Sequence, residues 1–231
     1  MNFWKDKRVL ITGSTGFKGS WLAMWLHMLG ADIRGYALQP DDKRSIFLRL
    51  GVGGFCPTTF SDIRNEKNLF KLIADFKPEI IFHLAAQPLV QESYLNPRST
   101  FETNIMGTIN IIEAAMKVNS VKSIINVTSD KVYENQSWQR GYKEIDTLNG
   151  KDPYSNSKSC ADLISNCYRN SFLEGRINLA NVRSGNVIGG GDWAENRLIP
   201  DMMRSLLDSC LLYTSDAADD LLCVDLGGRR I

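Results

Sequence analysis

Apolar residues along the chain follow two rhythms. Arg8-Val-Leu-Ile-Thr12, Ile80-Ile-Phe-His-Leu84 and Ser123-Ile-Ile-Asn-Val-Thr128 are short, nearly continuous apolar runs with the character of buried strands. Residues 32–38, 58–63 and 178–183 extend that set. Between them, Trp21, Leu22, Trp25, Leu26 and Leu29 recur at helical spacing and stop at Gly30, a helix-ending residue. Leu69, Leu72, Ile73 and Phe76 repeat the pattern and end before Pro78. Ile105, Ile109, Ile112 and Ala115 share one side of a helical stretch over residues 97–118, and Pro153 suits the first turn of a helix running to about residue 171. This alternation predicts an α/β fold, a doubly wound parallel sheet covered on both faces. The rhythm ends after Leu207. Residues 209–231, with Cys210-Leu-Leu-Tyr-Thr-Ser-Asp-Ala-Ala-Asp-Asp220, continue no element and resemble translated sequencing-adaptor DNA, so they are expected to be foreign to the fold.

Composition narrows the picture. A chain of 231 residues that is 43% hydrophobic can bury one sizeable core. A formal charge of +1 argues against nucleic acid or an anionic membrane as partner. No apolar run is long enough to span a bilayer, and the N-terminus has no apolar stretch after its charges, so no secretory signal is read there. The five cysteines form no Cys-x-x-Cys pair, and with two histidines no metal site is expected. A reduced, cytoplasmic protein is the expectation.

Candidate chemistry starts at Gly13-Ser14-Thr15-Gly16-Phe17-Lys18-Gly19, between the first strand and the first helix. Glycine there permits a tight turn, close approach of a diphosphate to bare backbone, and close packing of helix on strand. Amides at the helix start would face the phosphates. The spacing resembles the extended short-chain dehydrogenase/reductase family, a Rossmann-type fold. That resemblance implies a dinucleotide-binding domain with the catalytic residues over 1–183 and a small, incomplete substrate region over 184–208. It also implies cofactor roles for Asp62 and Ile63 (adenine), Leu84, Ala85 and Ala86, and Asn104, whereas His83 reads as a packed strand residue. An acid for the adenosine ribose is expected about 20 residues past the glycines. The second strand carries none at its end and no arginine either, so NAD is implied by the family resemblance alone.

Tyr154 and Lys158 stand four apart, on one face of a helix. A free tyrosine titrates near ~10, and a neighbouring ammonium is expected to lower that value and make Tyr154 a base for a sugar hydroxyl, Lys158 also holding the cofactor ribose. Thr128-Ser129-Asp130-Lys131 ends the fifth strand, the edge at which open parallel sheets present side chains to ligands.

Ser-Asp-Lys-Val-Tyr-Glu134, with Gly16-Phe-Lys-Gly19 and Arg183-Ser-Gly-Asn-Val-Ile-Gly-Gly-Gly-Asp-Trp193, resembles the nucleotide-sugar 4,6-dehydratases, in particular the branch acting on CDP-glucose. The resemblance implies that Ser129 and Thr128 help position sugar and cofactor. Asp130, kept protonated by burial, would donate to the departing hydroxyl, and Lys131 would be a carbon-5 base or an enolate stabiliser. Gln87, Asn186, Arg197 and Leu198 would face the substrate, and two copies would form a homodimer through the helices of residues 97–118 and 153–171. Competing readings are a dehydratase for another nucleotide sugar and a non-catalytic dinucleotide-binding regulator. An epimerase needs no Asp-Lys pair.

Overall fold

A computed structural model describes residues 3–40, 43–137 and 139–207, so the adaptor-like tail lies outside the described residues. Six parallel strands form one sheet: β1 Arg8–Thr12, β2 Asp32–Ala37, β3 Thr58–Phe60, β4 Ile80–His83, β5 Ser123–Val127 and β6 Asn178–Val182, in the order β3-β2-β1-β4-β5-β6. The switch in strand order lies between β1 and β4, where open α/β sheets open a crevice at their carboxyl ends. α1 Phe17–Met28, α2 Ile46–Arg49, α3 Glu66–Phe76, α4 Val90–Leu95, α5 Pro97–Phe101, α6 Gly107–Met116, α7 Pro153–Tyr168 and α8 Leu198–Leu207 complete the architecture.

The apolar runs are strands because both faces of the sheet are covered. Leu10 of β1 packs with Ile81, Ile124, Leu69, Ile73, Ile111 and Ile112 on one side. Val9 and Ile11 pack with Ile33, Ala23 and Leu26 on the other. Each such fully buried aliphatic side chain contributes about 1.5–3 kcal/mol.

The continuous helix expected over residues 97–118 is instead three pieces. Between α5 and α6 the backbone widens into a π turn, Glu102–Met106, with Asn104 buried inside it. Such turns interrupt a helix without ending it and leave no trace in apolar spacing. A second π turn, Arg169–Leu173, closes α7.

One buried ion pair ties α7 to the end of β6. Arg183 donates two hydrogen bonds to Asp162, both at 2.9 Å, and Thr128 Oγ1 (3.2 Å) and Asn181 Nδ2 (3.0 Å) donate to the same carboxylate. The Asp162 side chain has no exposed surface. Removing one partner of such a pair leaves the other charge buried and uncompensated, at about 3–5 kcal/mol. Asp162→Ala is therefore expected to lose stability of that order in chemical denaturation at neutral pH, and a loss below 1 kcal/mol would show that the pair behaves like an exposed one.

Candidate active site

The turn after β1 is built for backbone contact. Gly13 has φ +71°, and a Cβ there would lie 2.8 Å from the Ala85 nitrogen and 2.9 Å from the Leu84 carbonyl carbon. A Cβ on Gly19 would meet the Gly13 carbonyl oxygen. α3 and α7 carry side-chain caps, Asn65 accepting from Asn68 N and Asp152 from Ser155 N, whereas α1 has neither a capping side chain nor an acid in its first turn. Its free amides and positive dipole end thus face the crevice open to an anion.

The segment after β6 lies over this turn. Trp21 Nε1 donates to the Gly190 carbonyl at 2.9 Å, and a Cβ on Gly189 would sit 3.0 Å from Phe17 Cζ. Arg197 is thereby carried to the mouth of the crevice, paired with Asp192 at 3.4 Å.

The second wall is formed by β5 and α7. Ser129 opens a single 3-10 turn, Asp130–Val132, its Oγ accepting from Lys131 N (3.2 Å) and donating to Asp130 Oδ1 (3.2 Å). Asp152 and Pro153 start α7, a cap followed by the residue best suited to the first helical position. Tyr154 then lies close enough to Ser129 for that hydroxyl to bear on the phenol. One turn on, Lys158 is 5% exposed and donates from Nζ to the Val127 carbonyl at 3.2 Å. Asp130 N donates to the Ser184 carbonyl at 3.0 Å, and a Cβ on Gly185 would be 3.4 Å from Asp130 Oδ2; Asn186, the next residue, is exposed. Ser129, Asp130, Tyr154 and Lys158 thus meet at the carboxyl edge of the sheet.

Other expected residues have their groups engaged within the protein. The Gln87 carboxamide accepts from Leu89 N (2.5 Å) and donates to Thr100 Oγ1 (2.8 Å), which braces its own loop. Thr128 turns its hydroxyl inward to Asp162. Asn104 grips both backbone groups of Gln87, at 2.8 and 3.1 Å. Asp62 is held by Arg64, whose guanidinium keeps the carboxyl below the usual range, and Ile63 is buried against Gly107. Leu198 is exposed at the start of α8. At the end of β2, Thr15 Oγ1 donates to the Leu38 carbonyl at 3.0 Å, where an acid was expected. Asp192, the partner of Arg197, was not singled out in the sequence, and a lone acid in a glycine-rich loop gives no signal of that pairing. Among the described residues no cluster of metal-binding side chains occurs and no helix is long and apolar enough to cross a membrane.

A family profile described as GDP-mannose 4,6-dehydratase matches residues 10–204. The chain belongs to this family. It is 50% identical over 210 residues to a CDP-glucose 4,6-dehydratase of Salmonella typhimurium, covering 88% of this chain and 58% of that protein. It is 31% identical to a CDP-paratose 2-epimerase of Salmonella typhi, covering 81% of this chain and 59% of the relative. The chain thus spans a little under three fifths of these curated relatives. Among solved structures, a dTDP-glucose 4,6-dehydratase of Bacillus anthracis in complex with NAD shares the fold at a TM-score of 0.74 and 23% identity, covering 89% of this chain and 63% of that one.

In this member of the GDP-mannose 4,6-dehydratase family, burial governs the two central groups. Desolvation, and then the charge of Lys18, pull Lys158 down to about 7. Desolvation also raises the Tyr154 phenol, against the nearby Ser129 hydroxyl and the charge of Arg197, which lower it. The expectation that Lys158 sets Tyr154 low is therefore corrected. A dry wall disfavours the charged form of each, and an amine near half protonation at neutral pH is a weak counter-charge. Lys18 is lowered by desolvation and by Arg197, with Asp192 opposing. Although its side chain meets solvent, it is near enough to be felt by both Lys158 and Arg197, so three cationic groups bracket the crevice.

These shifts fix a sign. Lys158 is depressed in the folded chain, so between about pH 7 and its unfolded value of 10.5 the unfolded state binds more protons. Folding stability then rises with pH across that window, by up to about 1.4 kcal/mol per pH unit from this group. Lys158→Met is expected to be more stable than the parent near neutral pH, with an advantage that shrinks as pH rises. Parallel denaturation curves at several pH values check this, and a pH-independent difference would mean that Lys158 is not depressed.

Proposed function

We propose that the protein acts as a CDP-glucose 4,6-dehydratase, converting CDP-glucose to CDP-4-keto-6-deoxyglucose with NAD reduced and reoxidised in each cycle. The observation that carries the reading is the convergence of Ser129, Asp130, Tyr154 and Lys158 beside an uncapped helix start. It is supported by the 50% identity to a CDP-glucose 4,6-dehydratase. The uncapped first turn of α1, pressed against backbone with no room for side chains, fits a dinucleotide diphosphate. Bound NAD would supply the hydride acceptor for carbon 4, the hydride donor for carbon 6 and a positive charge that favours tyrosinate.

Tyr154 takes the proton of the 4-hydroxyl, with Ser129 holding phenol and sugar in line. The resulting ketone acidifies carbon 5, whose proton is removed as the 6-hydroxyl leaves and is returned to carbon 5 when hydride enters carbon 6. Asp130 protonates that leaving group, and Lys131, on the same turn, serves as carbon-5 base or steadies the enolate. Lys158 and Lys18 face the dinucleotide, and Arg197 and Asn186 face the diphosphate and sugar of the substrate. The setting is cytoplasmic, in keeping with three described cysteines that are all free. The assembly is a homodimer through the helices of residues 97–118 and 153–171, on which Met106 and Leu163 are exposed.

The test joins residues 1–207 to the C-terminal segment of a full-length relative and supplies NAD with CDP-, UDP- or dTDP-glucose. A 4-keto-6-deoxy product from CDP-glucose is expected, and another preferred nucleotide would replace the substrate assignment. Bound NAD with no turnover on any of the three would favour a regulator. Tyr154→Phe should lower turnover by ~10²–10⁴-fold, the usual worth of a positioned base. Lys131→Ala should still produce reduced nicotinamide on mixing yet eliminate water very slowly, and unchanged turnover would remove Lys131 from the chemistry.

A further inference from the structure

His83, at the end of β4, is 2% exposed and takes no part in the chemistry above. Its ring lies between two threonines, with Nδ1 2.8 Å from Thr12 Oγ1 and Nε2 3.3 Å from Thr108 Oγ1. The surroundings decide which nitrogen carries the proton. Thr12 Oγ1 already accepts from Ala85 N (3.1 Å) and from Leu84 N (3.2 Å), the latter shared with the Thr12 carbonyl at 3.2 Å, so backbone donors occupy its lone pairs. Its own hydrogen must therefore go to His83 Nδ1. A neutral ring that accepts at Nδ1 donates from Nε2, and Thr108 can receive that bond because its hydroxyl hydrogen is given to the Asn104 carbonyl at 2.7 Å.

The chain continues at both ends. Thr12 adjoins the Gly13 turn, and its bonds to Leu84 and Ala85 clamp the backbone that Gly13 touches. At the far end, Asn104 donates from Nδ2 to Ser157 Oγ at 2.8 Å, and Ser157 donates to the Tyr154 carbonyl at 2.6 Å. One directed run of hydrogen bonds thus links the helix-start anion site to the turn that carries the phenol.

We propose that His83 is a positioning residue: as the neutral Nε2–H tautomer between Thr12 and Thr108, it sets the placement of the glycine turn relative to Tyr154. Burial, and then the charge of Lys158, push its own titration down to about 3, so the ring keeps one tautomer across ordinary pH. The two arms have separate duties. The Nδ1 arm steadies the cofactor turn. The Nε2 arm steadies the π turn, and through it the catalytic helix. The second duty rests on the dinucleotide-dependent reading above; the tautomer does not.

Nitrogen-15 NMR of the histidines in the present chain tests the tautomer directly. His27 is the other histidine and is exposed, so His27→Gln assigns the signals. An Nε2–H signal is expected at neutral pH, and either Nδ1–H or imidazolium would overturn the proposal. Asparagine mimics an acceptor at Nδ1, and glutamine mimics a donor at Nε2. His83→Asn is expected to keep the NAD dissociation constant near the parent value while lowering kcat in the lengthened chain by ~10-fold, the worth of one hydrogen bond. His83→Gln should do the reverse, weakening NAD by ~10-fold with a smaller effect on kcat. Equal losses from both substitutions would reduce His83 to a packing residue. A parent that binds no NAD would sink the dehydratase reading, while the NMR result would still decide the tautomer.

Discussion

The backbone of Gly13 lies so close to Leu84 and Ala85 that no side-chain carbon fits between them. Much of the molecule follows from that contact. It requires β1 and β4 to be neighbours ending at the same level, as the pairing of Thr12 with His83 shows. It requires α1 to start at once and to lie tight on the turn, which Gly19 permits. An anion site made of bare amides results, and the crevice above it is where β5 and α7 deliver Ser129 and Tyr154.

The crevice is also dry, and dryness rather than charge pairing sets its electrostatics. A buried amine resting on a strand carbonyl and a half-buried phenol near a serine hydroxyl both prefer to be neutral. The charged forms that acid–base chemistry needs become favourable only as ligands bring opposite charge. Lys18, Arg197 and Asp192 stand where such charges would arrive, on segments remote in sequence but joined by the Trp21–Gly190 bond. Preorganisation here consists of placing groups, and the final protonation states wait for the occupants.

The parts of this arrangement legible in the sequence are those fixed by short-range spacing. Residues 8–12 followed by glycines announce a strand, turn and helix, and Tyr154 with Lys158 announce a helix face, because each signal lies within a few residues. Parallel order follows from the alternation itself. The remainder depends on contacts far apart in the chain. Glu102–Met106 has the composition of ordinary helix, and only its packing on Gln87, Ser157 and Ile63 reveals the π turn. Asp162, an acid on an amphipathic helix, reads as solvated until Arg183, from β6, arrives to bury it. Gln87 looks like a free ligand beside the site because neither Leu89 N nor Thr100 is marked as its partner. The four-residue α2 and six-residue α4 are shorter than the window in which a helical period can be counted.

β6 differs from the strands at the centre of the sheet. Among the described residues it is an outer strand, and alternate positions Asn178, Ala180 and Val182 all face solvent. The opposite outer strand, β3, is three residues long and offers little to a neighbour. A longer outer strand leaves a row of unpaired backbone groups, a template on which a foreign strand can dock. A charged residue on that flank, well away from the catalytic crevice, would discourage such pairing without touching the chemistry.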